Sequence, residues 1–352
     1  MRLIRKFETL NSNYTYIFDN KLLNISEKLK FVKTLDYLEK YSYAFDNQLE
    51  FDVLDNLDCP IWQMWLQGED GMPPLVRVCH NSVKKFCSDR NIILLTQDNI
   101  KNYVKLPQYI IEKYNKGIIS KTHLSDIIRL ILLYQHGGFW IDSTVYLTNC
   151  IPLNIQKSDF FVFKTVNGLI VDNDVSLDKY KLISNYLNKE AHLASSWFIK
   201  AKAGSKIIEN VLKMLLEYWK NENKLINYFL IHYIFTIAIL KNDNFKEEYI
   251  NMPSYSNINV HLLQKCLFEK YDKNLFNLIK SMSDIHKLTY KNLNLNIYRD
   301  SFLNYLLHLS SNIQEREREL KALFKFVELN KINSSAGNVY FPALEYFKED
   351  AA

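Results

Sequence analysis

Glycine and proline are scarce in this chain, which has 8 and 7 of them among 352 residues. That scarcity excludes collagen-like and low-complexity architectures, and no repeat period is visible. The five cysteines are odd in number and include no Cys-x-x-Cys pair. Neither a disulfide framework nor a structural zinc site is therefore expected, and a reducing compartment fits. The chain also lacks a dense block of lysine and arginine, which argues against a nucleic-acid partner.

Long apolar runs are missing as well. No stretch reaches the ~18 apolar residues that span a bilayer, and the N-terminal segment lacks the apolar core of a signal peptide. The longest apolar run, near 228–240, is interrupted by His232 and Thr236. These absences predict a cytoplasmic protein and leave open a peripheral location at the inner face of the plasma membrane. The net charge of +5 suits an anionic partner such as a nucleoside diphosphate or a membrane surface.

The composition and the order of apolar runs predict an α/β protein. Hydrophobic residues make up 48% and charged residues 24% of the chain, which is enough apolar surface for a sizeable core. Apolar runs of strand length at 61–65 and 91–95 flank a helical pattern at 76–86. That order predicts a mostly parallel sheet covered by helices on both faces. Further single strands are expected over 139–147, 160–164 and 196–201.

Helical spacing dominates both ends of the chain. Residues 1–58 follow a helical period until Cys59-Pro60 breaks it. Later helices are expected over 107–113, 120–136, 206–218, 227–240, 260–281 and 300–330. No linker rich in proline, glycine or serine divides the chain. The predicted organisation is therefore a helical N-terminal region at 1–58, one α/β catalytic domain at 59–295 and a helical extension at 296–352.

The segment 125–144 carries the clearest chemical signal. Asp126 and Arg129 lie three residues apart on an otherwise apolar helix. An acid and a base are costly there unless they reach solvent or a ligand. Gly137-Gly138 ends that helix and leads into a strand that carries Asp142. An acid near the end of a buried strand lies where open α/β sheets bind ligands.

This segment resembles the donor site of the capsular polysaccharide synthesis glycosyltransferases, relatives of the mannosyltransferase-like enzymes with a D-x-D motif. The shared pattern is S-D-x-x-R, a helix, Y-x-x-G-G and then an acid. It is matched here by Ser125, Asp126, Arg129, Tyr134, Gly137, Gly138 and Asp142. Weaker matches follow in the same order over roughly residues 58–292. The resemblance implies a GT-A fold, a Rossmann-like and mostly parallel sheet flanked by helices, with helical additions at both ends.

The resemblance also implies roles for individual residues. Asp126, Arg129 and Asp142 are the implied catalytic residues and would hold hydroxyls of the donor. The rest of the implied donor site consists of Trp62, Gln63, Gly138, Thr144, Ser196, His286 and Lys287. Asp142 and His286 are the implied ligands of a divalent cation, Mn²⁺ or Mg²⁺, that neutralises the diphosphate leaving group. Thr144 stands where the motif has its second acid, and because a hydroxyl is a poor ligand for a hard cation, metal dependence stays open.

As a whole, the resemblance implies a bacterial hexosyltransferase that uses a nucleoside diphosphate sugar, UDP-sugar in particular, with retention of anomeric configuration. The acceptor would be a hydroxyl of a capsular or other surface glycan, free or lipid-linked. Two alternatives stay open: a glycosylating toxin or effector that modifies a protein, and a catalytically degenerate protein that binds a nucleotide sugar or an assembly partner. Structural roles also stay open for Trp62 in the core, Asp142 as the cap of a turn and His286 in a loop. His232, on an apolar helix face, is expected to be a core residue.

Overall fold

The computed structural model describes residues 25–164, 192–255, 257, 259–290 and 300–308, apart from the side chains of 25–28 and 308. Its first elements are α1 (Ile25–Glu39), β1 (Ile61–Met64), α2 (Pro74–Phe86), β2 (Ile92–Leu95), α3 (Gln108–Asn115) and α4 (Lys121–His136). Next come β3 (Gly138–Ile141), β4 (Val145–Leu147), α5 (Leu153–Lys157), β5 (Phe160–Lys164) and β6 (Ala194–Ala201). The last are α6 (Lys206–Asn221), α7 (Leu230–Lys241), α8 (Asp243–Asn251), α9 (Leu262–Cys266), α10 (Lys273–Met282), β7 (Ile285–Lys287) and α11 (Phe302–His308).

Five of the strands form one sheet in the order β2-β1-β3-β6-β5. Strand β1 is parallel to β2 and β3, and β6 is antiparallel to β3 and β5. Four of the five strands therefore run in one direction, which confirms the expected mostly parallel sheet. Strands β4 and β7 form a separate antiparallel pair in which Val145 lies opposite Lys287. That pairing brings a late segment of the chain next to the end of β3.

The single strand expected over 139–147 is wrong. Residues 142–144 make a turn between β3 and β4, and the N–H of Val145 donates to the carbonyl of Asp142 at 2.9 Å. The two strands then join different sheets. The β-branched and aromatic character continues through the turn, so composition does not reveal the break. The helix expected over 260–281 is likewise divided into α9 and α10, and the helices expected beyond 308 lie outside the described residues.

Side-chain alternation along the strands divides the core into two layers. Trp62 and Trp140 face the side that α4, α6 and α7 cover, whereas Ile61 and Phe139 face the side of α2 and α5. All residues of β3 and β6 are buried. Because both faces are covered, β3 is an apolar run, Gly-Phe-Trp-Ile, whereas β6 also buries the polar Ser195, Ser196 and Lys200.

The Gly137-Gly138 turn between α4 and β3 depends on glycine at both positions. Gly137 has φ 68° and Gly138 has φ 90°, a region that side chains rarely adopt. A Cβ on Gly138 would lie 2.1 Å from the carbonyl oxygen of Pro60, so β1 and β3 could not approach as they do. The turn therefore fixes where β3 begins and, four residues later, where Asp142 lies.

Helices α1 and α11 pack on this α/β core, but the helical pattern expected up to residue 58 ends earlier, since residues 47–60 contain no helix. Helix α1 contacts α7 through Phe31 and Leu35, and α11 contacts α2. The domain boundaries at 58/59 and 295/296 stay predictions. Among the helices that the structure describes, none has the length and apolar character needed to cross a membrane.

Candidate active site

Helix α4 places an acid and a base side by side inside the protein. Arg129 Nη2 lies 3.1 Å from Asp126 Oδ1, and the two side chains are 5% and 7% exposed. The carbonyl and hydroxyl of Ser125 accept from the same guanidinium at 3.2 and 2.8 Å, and so does the carbonyl of Ser196. Four of the five N–H groups of the guanidinium thus have a protein acceptor within hydrogen-bond distance. We name Asp126 and Arg129 the inner pair.

Strand β3 delivers a second carboxylate to the inner pair. Trp140 and Asp142 are two residues apart, so both side chains point toward α4. The indole N–H of Trp140 donates to Asp142 Oδ1 at 2.8 Å, and the same oxygen lies 3.7 Å from Arg129 Nη2. The backbone N–H of Asp142 donates to the carbonyl of Trp197 on β6 at 2.9 Å. Asp142 is therefore held from its own strand, from a neighbouring strand and from α4.

Strand β7 adds a lysine to the cluster. Lys287 Nζ donates to Asp142 Oδ2 at 2.6 Å and to Thr144 Oγ1 at 2.7 Å. The side chains of Lys287 and Asp142 are 19% and 26% exposed, so both reach solvent. We name Lys287 and Asp142 the outer pair. The cluster of four charges lies where β3 ends, at the carboxyl edge of the parallel strands, as ligand sites in open α/β sheets do.

Burial and nearby charges shift the pKa values of the two carboxyl groups in opposite directions. Burial raises the pKa of Asp126 to about 7, and the attraction of Arg129 offsets only part of that effect. Burial alone would also raise the pKa of Asp142, but Lys287 and Arg129 outweigh it and hold that pKa below the ordinary 3.8. Asp142 is therefore charged near neutral pH, while Asp126 can exchange a proton there. Shifted carboxyl groups of this kind are typical of functional sites.

A histidine that the sequence assigned to the core lies beside this cluster. His232 on α7 is half-buried, and its Nε2 is 3.4 Å from the hydroxyl of Ser196. Its Nδ1 is buried without a hydrogen-bond partner among the described residues. Burial, together with the positive charge of Arg129, lowers the pKa of His232 to about 3. The imidazole is therefore neutral at physiological pH.

Two of the predicted donor-site residues on β1 are fully buried away from the cluster. Trp62 donates its indole N–H to the carbonyl of Gly137 at 3.0 Å, beneath α4. Gln63 points to the opposite face of the sheet, because strand residues alternate, and its Oε1 lies 2.6 Å from Nδ1 of His80. The structure does not bring either side chain to Asp142. Their donor-binding roles stay predictions, and the core alternative for Trp62 matches its burial.

Gly138 and His286 are also separated from the cluster. Gly138 packs against Pro60. His286 precedes Lys287 on β7 and therefore points to the other face of that strand, where its Nε2 lies 3.2 Å from Thr148 Oγ1. Burial lowers the pKa of His286 to about 3. The structure thus brings together Asp126, Arg129, Asp142, Thr144, Ser196 and Lys287, six of the ten predicted site residues.

The described residues do not fit a divalent cation held by Asp142 and His286. Mn²⁺ and Mg²⁺ need several hard oxygen ligands, but Asp142 Oδ2 and the Thr144 hydroxyl already contact the Lys287 ammonium. His286 lies on the far side of β7. Within the described ranges, no three or more His, Cys, Asp and Glu side chains converge as metal ligands.

Three residues of the site were not predicted from the sequence as site residues. Ser125 accepts twice from Arg129, Trp140 donates to Asp142, and the ring of Trp197 lies 6.0 Å from the Lys287 ammonium. Local spacing could have indicated the first two, since Ser125 is four residues from Arg129 on the helix and Trp140 is two from Asp142 on the strand. Nothing local indicates Trp197, which comes from another strand.

This chain is similar to several known proteins. A family model described as capsular polysaccharide synthesis protein matches residues 13–306. The O-glycosyltransferase braB of Annulohypoxylon truncatum is 31% identical over 99 residues, which are 26% of this chain and 24% of that protein. The match thus spans about a quarter of that relative's length. The solved structure of PaToxG Glycosyltransferase aligns over 82% of this chain and 98% of its own, with 11% identity and a TM-score of 0.33.

Proposed function

The chain belongs to the family of capsular polysaccharide synthesis proteins, a glycosyltransferase family, and we propose that it transfers a hexose from a UDP-sugar to a hydroxyl of a surface glycan. The observation that carries the proposal is the meeting of the inner and outer pairs at the carboxyl edge of β3. That edge is the expected place for a nucleotide ligand. Buried charges are retained at a cost in stability, and ligand binding is a reason to retain them.

The cluster has both kinds of charge that a nucleotide sugar needs. Carboxylates accept hydrogen bonds from ribose or sugar hydroxyls, and Asp142 is the more exposed of the two. Cations stabilise the charge that develops on the diphosphate leaving group. In the proposed reaction the bond from the anomeric carbon to the diphosphate oxygen breaks, and its electron pair stays on that oxygen. The acceptor oxygen bonds to the anomeric carbon, and its proton passes to the departing phosphate.

The proposed acceptor and stereochemistry rest on the resemblance, and the proposed location rests on the composition of the chain. A capsular or other surface polysaccharide, free or lipid-linked, is the proposed acceptor, with retention at the anomeric carbon. The net charge of +5 favours attraction to an anionic membrane surface. We therefore place the protein in the cytoplasm with peripheral contact to the inner membrane face.

The proposal is tested by nucleotide release from a panel of UDP- and GDP-sugars, with and without glycan acceptors. Asp142→Asn keeps the size of the side chain and removes its charge, so we expect release to fall by ~100-fold or more. Asp159 is the matched control, because it also pairs with a lysine, Lys202, but on the exposed surface. Asp159→Asn should release nucleotide at the parent rate. If Asp142→Asn and the parent released nucleotide at equal rates, the assignment of the donor site to this cluster would be wrong.

Binding of a nucleotide sugar without turnover is the second candidate. The observation that favours it is Thr144, which stands in place of an acid. Calorimetry that shows tight UDP binding, combined with no nucleotide release from any donor, would decide for this candidate. Transfer to a protein rather than a glycan would instead appear as labelled protein when a radioactive donor is supplied.

A further inference from the structure

The Lys287 ammonium lies between the two side chains that would share a cation in an acid-x-acid motif. Asp142 and Thr144 occupy those two positions in the turn after β3. Lys287 Nζ is 2.6 Å from Asp142 Oδ2 and 2.7 Å from Thr144 Oγ1. The place of a bound cation is thus filled by a positive charge that belongs to the chain itself.

Two pieces of secondary structure fix the position of this lysine. Val145 pairs with Lys287 across β4 and β7, and the N–H of Leu288 donates to the carbonyl of Thr144 at 2.9 Å. The ring of Trp197 flanks the ammonium at 6.0 Å from its centre. Lys287 is therefore anchored beside the turn by backbone hydrogen bonds on both sides of its own residue, unlike a lysine on an open surface.

Lys287 is also the cluster's more accessible cation. An ammonium has three N–H donors, and among the described residues Asp142 and Thr144 take two of them. Its side chain is 19% exposed, whereas that of Arg129 is 5% exposed. A phosphate oxygen can therefore approach the third donor of Lys287 without displacing either protein contact.

A divalent cation would compete with this arrangement. It would have to bind Asp142 Oδ2 next to a positive charge that already contacts that oxygen, and like charges at such distances repel strongly. It would also gain only the hydroxyl of Thr144, a weaker ligand for a hard cation than the carboxylate of the motif. Both effects weaken a metal at this position and leave the ammonium in place.

We propose that Lys287 replaces the divalent cation and binds the donor diphosphate directly, so that a nucleoside diphosphate binds without metal. This inference rests on the proposed function, because it assigns the diphosphate of that donor to the outer pair. Asp142 and Thr144 then position the ammonium. When the bond to the anomeric carbon breaks, the electron pair stays on the phosphate oxygen, and the nearby ammonium stabilises that charge without giving up its proton.

Calorimetric binding of UDP and of GDP, each in EDTA and in Mn²⁺, is the first test. We expect the Kd of the bound nucleotide to agree within about threefold between the two conditions, since the cation is part of the chain. Binding that disappears in EDTA and returns with Mn²⁺ would overturn the inference and leave the proposed function intact. No binding of either nucleotide in either condition would overturn both.

Variants of Lys287 test whether this residue contacts the diphosphate of the nucleotide. Lys287→Met should weaken UDP binding by ~30-fold or more while the affinity for uridine changes less than about twofold. Lys287→Arg, which restores the charge, should recover most of the loss. The exposed Lys202 provides the control, and Lys202→Met should bind UDP as the parent does. A Lys287→Met protein that folds and binds UDP at the parent affinity would contradict the inference.

The converse change should create a metal site. In the double variant Thr144→Asp/Lys287→Met, two carboxylates flank a place that no ammonium fills. We expect it to take up Mn²⁺, seen as loss of the free-ion signal in electron paramagnetic resonance, and to bind UDP more tightly with Mn²⁺ than in EDTA. The parent should leave the free-ion signal unchanged. Mn²⁺ uptake by the parent that Asp142→Asn abolishes would count against the inference.

Discussion

The inner pair and the outer pair contain the same chemistry, a carboxylate beside a cation, in two different settings. Asp126 and Arg129 come from one helix, three residues apart, with side chains at most 7% exposed. Asp142 lies in the turn after β3 and Lys287 lies on β7, 145 residues apart in sequence, and both side chains reach solvent. Asp142 is the link, since its Oδ1 faces Arg129 and its Oδ2 faces Lys287.

We propose that the inner pair contributes more to stability and the outer pair more to ligand binding. The guanidinium of the inner pair contacts protein acceptors on α4 and β6, so it holds those elements together. The ammonium of the outer pair has capacity left for a ligand. A buried charge whose partner is removed destabilises a protein strongly, whereas a partly exposed pair contributes little. We therefore expect changes to the inner pair to affect folding and changes to the outer pair to affect ligands.

The largest expected effect is that of Arg129→Met. Removing the guanidinium leaves Asp126 buried without its cation and frees the acceptors on Ser125 and Ser196. We expect a loss of about 3–5 kcal/mol in the free energy of unfolding, measured by urea denaturation. Adding Asp126→Leu should recover part of the loss. A single variant as stable as the parent would show that the inner pair has no structural role.

The two carboxyl groups should differ in their pH dependence. The pKa of Asp126 is raised from 3.8 to about 7, so the folded state holds a proton that the unfolded chain releases between those values. Stability should therefore fall as pH rises from about 4 to about 7. The pKa of Asp142 is lowered, so its contribution is present above pH 3.8 and is lost as pH falls further.

Urea denaturation at a series of pH values measures both effects. Asp126→Asn should make the free energy of unfolding nearly independent of pH between pH 4 and 7, because the amide has no carboxyl proton to release. Asp142→Asn should leave that window unchanged and alter the curve below about pH 4. A pH profile that Asp126→Asn does not alter would contradict the burial of this carboxyl group.

Lys287→Met should change stability much less than Arg129→Met does. The ammonium and its carboxylate are 19% and 26% exposed, and Arg129 remains near Asp142. We expect a loss of about 1 kcal/mol or less in the free energy of unfolding, together with the loss of UDP affinity described above. A loss as large as that of Arg129→Met would mean that the outer pair is structural too.

Thr144→Val is the mildest of these changes. It removes one acceptor at 2.7 Å from Lys287 and keeps the shape of the side chain. Because water can replace this hydrogen bond at a partly exposed ammonium, we expect the free energy of unfolding to fall by less than about 1 kcal/mol. UDP affinity should fall only severalfold. A loss of affinity equal to that of Lys287→Met would show that Thr144 positions the ammonium decisively.

Sequence patterns predicted those parts of the fold and of the site that depend on interactions between residues close in sequence. The apolar stripe and the Gly137-Gly138 turn predicted α4. Its boundaries hold because Ser120 caps its first turn and the glycine turn ends its last. The three-residue spacing predicted the contact between Asp126 and Arg129. The break at 142–144 was missed, since β4 leaves the sheet only to pair with β7.

Asp126, Arg129 and Asp142 were recognised as one segment from their spacing, and the resemblance showed that Thr144 stands where the motif has an acid. The sequence by itself could not decide where His286 and Lys287 lie, because two neighbours on a strand face opposite ways and the register of β7 depends on β4. Only the tertiary structure decided that Lys287 faces Asp142. The pairing of β4 with β7, in which Val145 lies opposite Lys287, is set by packing of the whole core, which no local pattern contains.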